Sequence, residues 1–268
     1  MNVKSAWRLG TGLFWRNVRG QRKRLLITPL LIIGILLMIP LSVLYAPGLV
    51  TPQTIPRLEQ MANLSLGVHG GREALFAASL FGMGPYLIAL LMSNMASSNA
   101  QGSFATEAAQ GSLELLFSAP YRASEIFAGI LLSSLFLTFS MCLIIAICTY
   151  GIAVGFMLGA GIAVPWSPND IVFILLMPFA LSMCSALISL FISLLFPRAV
   201  KVRTGGTNNL AQLLSMIPSF AFFILIPLRP GLNLTDMSMI ALLVGLIGSL
   251  VIVWFFGRWF RPELVLEK

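Results

Sequence analysis

FATEAAQGSLELLFSAP, residues 104–120, decides how the rest of the chain is read. Between the first and last hydrophobic runs, it is the only sizeable segment neither apolar enough to cross a bilayer nor loose enough to be a linker. At 100° per residue, Glu107, Gln110, Gly111 and Glu114 fall on one side of a helix, and Leu113, Leu116 and Phe117 fall on the other. Pro120 ends the pattern, having no N–H to donate and a ring that clashes with the preceding turn. The spacing predicts a short amphipathic helix at the membrane edge. Its Leu/Phe side is buried and its two carboxylates face something soluble.

What flanks this stretch is bilayer material. Hydrophobic residues make up 58% of the 268 positions and charged residues 10%, with a mean hydropathy of +0.93. An ordinary soluble domain carries about 25% charged residues, and a helical span needs about 20 apolar ones. The expected fold is therefore an all-α integral membrane protein with six transmembrane helices. The spans are placed at about Leu25–Tyr45, Ala74–Ser97, Ser124–Leu158, Ile171–Phe196, Leu210–Leu228 and Met237–Phe256. Residues 25–257 form the six-span domain, 98–123 the cytoplasmic segment within it, and 258–268 a cytoplasmic tail. The first span is too long for a signal-peptide core, and Pro47 sits where cleavage would be expected, so it reads as a retained helix. Gly82, Gly84 and Pro85 interrupt the second span, which a membrane helix tolerates where neighbours satisfy the freed backbone. Gly151, Gly155 and Gly159 give the third a small-residue face. The fifth contains Pro218 and Pro227.

Residues 1–24 are amphipathic. Val3, Trp7, Phe14 and Val18 share one stripe at helical spacing, and Lys4, Arg8, Arg16, Arg19, Arg22 and Lys23 an adjoining arc. This predicts an interfacial helix with Trp7 and Phe14 at headgroup level and Arg16 and Arg19 on anionic lipid. The net charge of +8 is thus a membrane signal, not a nucleic-acid one. With six spans, fourteen of the 17 Lys and Arg residues fall on the side of the termini, and only Arg57, Arg72 and Arg229 on the other. The positive-inside rule places both termini in the cytoplasm.

The same pass excludes several chemistries. Cys142, Cys148 and Cys184 lie inside apolar runs without ligand spacing and read as small hydrophobes. His69 stands alone in a Gly-rich loop. No Lys, Arg, Asp or Glu falls in the central part of a span, whereas ion-coupled transporters carry such groups at membrane depth. The chain has no phosphate-cradling G-x-x-x-x-G-K-[ST] loop. The expectation is no catalytic, cofactor or metal site here, with any energy supplied from outside. Ser93, Asn94, Ser133, Ser134, Thr138, Ser182, Ser185, Ser189 and Ser193 are the candidates for a polar path. The same residues read equally well as hydrogen bonds between helices.

Glu107-Ala-Ala-Gln-Gly111-Ser-Leu-Glu114-Leu-Leu, followed by Ser118-Ala-Pro120, resembles the E-x-x-x-G-[ST]-L-E-x-L…P signature of type-2 ABC transporter permeases. It occupies the same slot, between the second and third of six spans, and that family also has an amphipathic helix before the first span. The resemblance implies the permease subunit of an exporter, in the bacterial inner membrane and paired with a second copy or a similar subunit. Glu107, Gly111, Leu113 and Glu114 would couple it to a soluble ABC ATPase, which would bind the ATP and Mg. Nothing implies nucleic acid. Three features depart from the family: Ala108, Ala109 and Gln110 replace basic residues, Ile130 stands where a lysine is common, and only Arg229–Asp236 separates the last two spans. A thinner likeness, through Gly-Ser-Leu-Glu and Gly205-Gly206, is to the membrane subunit of the haem exporter of cytochrome c maturation. A membrane scaffold or channel-like protein without an ATPase is the alternative reading. The uncharged interior favours an amphiphilic or lipid-like cargo.

Overall fold

A computed structural model describes residues 3–20, 22–45, 56, 75–109, 121–159, 168–195, 210–228 and 234–259. Among them the regular structure is entirely helical: α1 (Val3–Gly20), α2 (Arg22–Tyr45), a π-helical turn (Ala78–Met83), α3 (Gly84–Ala109), α4 (Ala123–Gly159), α5 (Pro168–Leu195), α6 (Leu210–Ser215), α7 (Ile217–Leu228) and α8 (Leu234–Trp259). Among the described residues five helical stretches are long and apolar enough to cross a membrane: Leu25–Ser42, Leu75–Gln101, Glu125–Gly159, Ile171–Ile192 and Ser238–Phe255. They coincide with five of the six expected spans.

The remaining expected span, 210–228, is divided. Met216 is a turn between α6 and α7, with its N–H on the Leu213 carbonyl at 3.1 Å. Pro218 has no N–H for the Leu214 carbonyl, so the α-helical ladder cannot run through this point. It resumes when Phe220 N–H donates to the Met216 carbonyl at 3.0 Å. A related adjustment occurs at the start of the second span. Pro85 cannot donate to Phe81, and the chain widens into the π turn just before it. The Leu80 carbonyl there accepts from Gly84 N–H and, at 3.3 Å, from the Tyr150 hydroxyl of α4. Gly84 is required beside it, because a methyl group would stand 2.8 Å from that hydroxyl oxygen. A neighbouring helix thus adds a second donor to a carbonyl of the π turn.

Paired contacts set the directions of the helices. Tyr86 stacks on Phe173 and Ser97 bonds Ser189, so α3 and α5 run parallel. Tyr150 meets Leu80 while Ile126 and Ile130 pack with Ala96 and Ala100, so α4 runs against α3. Cys184 meets Ala241 and Leu187 lies by Gly248, so α5 and α8 are parallel. Ser215 reaches Ser97 and Ser219 reaches Ser93, so α6 and α7 run against α3. One end of the bundle therefore holds the C-termini of α3, α5 and α8 and the N-termini of α4 and α6. The centre is α3, 71% buried over its span, and the periphery is α8, 17% buried.

α1 is a protein-packed helix as well as an amphipathic one. Among its described residues Ala6, Gly10 and Leu13 are buried, and Trp7, Phe14 and Val18 of the expected stripe lie along the edge of that face. The reason is close approach to α4. A methyl at Gly10 would stand 3.0 Å from Leu132 Cβ and 3.2 Å from the Gly129 carbonyl oxygen, and one at Gly129 would overlap Leu9. Trp7 and Phe14 pack edge-on against Phe136, with ring centroids 5.1 and 6.3 Å away. Arg16 and Arg19 are exposed on the opposite side. In α4, by contrast, Gly151, Gly155 and Gly159 are exposed with nothing within 4 Å of a built methyl.

Candidate functional site

The coupling residues divide at Ala109. Glu107 belongs to the last turn of α3, so residues 104–109 continue the second span without a break. Gly111, Leu113 and Glu114 lie outside the described residues, as do His69 and the 197–206 connector.

The polar path candidates separate into two groups. Ser93, Asn94 and Ser189 converge with three residues that sequence reading passed over, Ser97, Ser215 and Ser219, and with Gln212. Ser97 Oγ donates to Ser189 Oγ at 3.0 Å, and Ser189 Oγ donates to the Ser97 carbonyl at 3.0 Å. Ser215 Oγ reaches Ser97 Oγ at 2.6 Å and the Gln212 carbonyl at 2.7 Å, alternatives for its single proton. Ser93 and Ser219 share a hydroxyl hydrogen bond, and Gln212 Nε2 donates to Asn94 Oδ1. All five serines are buried. The result is a hydroxyl-and-amide seam joining α3, α5, α6 and α7.

Helical spacing explains why these side chains meet. Ser93 and Ser97 are one turn apart on α3, and Gln212, Ser215 and Ser219 follow at i, i+3 and i+7 along α6 and α7. The break at Met216 falls between Ser215 and Ser219. Sequence alone offers that periodicity as a signal. It does not say which polar rows face each other.

Ser133 and Thr138 belong elsewhere, on α4. Asn17 Nδ2 of α1 donates to Ser133 Oγ at 3.4 Å. Ser134, Thr138 and Ser185 are buried with no hydrogen-bond partner for their hydroxyl oxygens among the described residues. Ser182 bonds back to the Phe179 carbonyl of its own helix at 2.9 Å.

No protein-family model matches the chain, and no curated protein or solved structure is similar to it.

Chemically, the seam is neutral. Hydroxyls and amides can hand hydrogen bonds along a row, hold helices in register or hydrate a polar group in passage. Nucleophilic chemistry needs a base within reach of the hydroxyl, and the hydrogen bonds described above join Ser, Asn, Gln and backbone groups. Among the described residues the one buried charge is Glu125, at the start of α4, where its Oε2 accepts from Arg122 N–H at 3.3 Å as a helix-start cap. No three potential metal ligands gather among the described residues.

Proposed function

We propose that this chain is the membrane-spanning permease subunit of an ATP-driven exporter. It sits in the bacterial inner membrane with both termini cytoplasmic and works as a dimer with a soluble ATPase bound to each subunit. The observation that carries this reading is the Glu107-x-x-x-Gly111-Ser-Leu-Glu114 signature between the second and third spans. Two structural features support it. α5 and α8 run parallel, so the chain between them must return across the bundle, and α6 with α7 is the described segment available to do so. On this reading the chain makes six crossings, with the 98–123 segment proposed on the side of both termini.

The second feature is mechanical. α3 is continuous from Ser93 to Ala109, so Glu107 and Ser97 ride one rigid helix, ten residues or about 15 Å apart. A partner that pulls on the Glu107 end moves the seam with it. Hydrogen bonds of the Ser97 kind, exchangeable between Ser189 and Ser215, allow such sliding without stranding a polar group. The proposed cargo path runs along this seam, and its neutral lining suits an amphiphile better than an ion.

Co-purification in gentle detergent with the candidate ATPase tests the reading, comparing wild type with Glu107→Arg/Glu114→Arg. A stoichiometric ATPase with wild type, lost in the double variant, upholds the coupling role. Wild type alone in the absence of any ATPase removes the energy source and favours a scaffold or channel.

A further inference from the structure

On the periphery, α5, α7 and α8 enclose an apolar groove of about 570 Å³ whose floor includes Cys184, Leu187 and Gly248 and whose α7 wall is Pro218 and Phe222. Among the described residues its lining carries no charge, and it lies on helices long and apolar enough to span a bilayer or on one packed along them. Along α8 it runs from Ile240 to Ile252, about 18 Å at 1.5 Å per residue, and along α5 from Leu181 to Phe191, about 15 Å.

The face of α8 that lines the groove does not end with the groove. Val244 and Val251 lie on it, seven residues apart, and the next residue in that row is Arg258. Arg258 is exposed, about 10 Å beyond Val251 and three residues past the apolar span. Trp254, 62% exposed, sits one turn before it, where an indole favours the headgroup level. An apolar trough that reaches past the middle of the span, an interfacial Trp and then a cation form the outline of a phospholipid. We infer that this groove binds one acyl chain of an anionic phospholipid, with the Arg258 guanidinium on the lipid phosphate. Arg suits that role because its planar fork donates two parallel hydrogen bonds to a phosphate. The lipid belongs to the leaflet at the end of the bundle where α3, α5 and α8 terminate. The site also lies against the seam, because Pro218 and Phe222 face the groove while Ser219 of the same helix bonds Ser93. A lipid seated there therefore bears on the helix that closes the seam. The inference does not depend on the permease reading, since it needs neither an ATPase nor transport.

The test uses the full chain in nanodiscs containing spin-labelled phosphatidylglycerol or phosphatidylcholine, and reads the motionally restricted lipid fraction by electron paramagnetic resonance. Phosphatidylglycerol should be preferred over phosphatidylcholine. Arg258→Gln should cut that preference roughly fivefold. Val244→Phe, which fills the trough, should reduce restriction of both lipids. Leu250→Phe, on a lipid-exposed part of α8 outside the groove, should not. Gel filtration and circular dichroism establish that each variant is folded. Two results overturn the inference: equal restriction of the two lipids by wild type, or Val244→Phe behaving as Leu250→Phe does. A Val244→Phe variant that keeps its lipid but changes oligomeric state would overturn it too, by making the groove an interface between copies.

Discussion

Gly10→Ala tests the crossing of α1 over α4 at its tightest point. The added methyl would lie 3.0 Å from Leu132 Cβ and 3.2 Å from the Gly129 carbonyl oxygen. Neither can rotate away, since one is the root of a side chain and the other is backbone. Carbon atoms sit comfortably at about 3.5–4.0 Å, so α1 must back off by about 0.5–1 Å, which forfeits a quarter to a half of the dispersion well across that face. Overpacking of this kind costs about 1–3 kcal/mol. Against it stands the gain of about 1 kcal/mol from replacing a helical glycine with alanine. Gly12→Ala has the same propensity gain and no clash, because nothing lies within 4 Å of its built methyl. Gly10→Ala should therefore be less stable than Gly12→Ala by about 1–3 kcal/mol, the overpacking cost alone. The assay is reversible unfolding in mixed micelles, together with tryptic cleavage after Arg16 and Arg19, which should speed up in Gly10→Ala as α1 lifts. Equal stability and equal cleavage of the two variants would refute the close-packed crossing.

Three further outcomes are expected. A double-mutant cycle between Ser97→Ala and Ser215→Ala should give a coupling of about 0.6 kcal/mol, the average for such pairs within membranes; zero coupling would mean the two hydroxyls do not meet. Pro218→Ala restores a backbone donor where the ladder breaks, so amide exchange around 215–219 should slow by hydrogen-exchange mass spectrometry, and unchanged exchange would place the cause of the break elsewhere. In a cysteine-free background, Lys4→Cys and Arg258→Cys should react with an impermeant maleimide from one side of the membrane and Asp236→Cys from the other. All three positions are exposed, and 22 residues of α8, about 33 Å, separate the last two; labelling of all three from one side would contradict the crossing of α8.

The long spans were legible because a bilayer demands a run of about 20 apolar residues, and such runs can be counted without knowing any contact. Pro85 and Pro218 were legible as interruptions, since a missing N–H is a local fact. Their structural outcomes differ: a π turn propped by Tyr150 in one case, two short helices in the other. That difference comes from neighbours distant in sequence. The protein-packed face of α1 was not legible for a similar reason. Hydrophobicity ranked Trp7 and Phe14 above Ala6 and Gly10, but a helix partner at close range selects small residues, and only the position of Gly129 reveals that partner.

The seam sets the limit of sequence reading for function. Ser97 and Ser189 are 92 residues apart, and Ser97 and Ser215 are 118 apart, each in an apolar run that resembles the run holding Ser134 and Thr138. Residue type does not separate the two groups; register does. Where four helical segments bring their polar rows to one line, the hydroxyls of Ser93, Ser97, Ser189, Ser215 and Ser219 find partners, and the line can shift as a unit. On α4 the buried hydroxyls of Ser134 and Thr138 lack such partners among the described residues. An unmade hydrogen bond in an apolar setting costs free energy, so a second arrangement of the helices that pairs them would recover part of it. The seam and these two hydroxyls are thus the places where a change in helix register has the most to gain or lose. α3 touches both α4 and α5 and ends at Ala109, two residues past Glu107, so under the proposed function it is the element through which the partner would set that register.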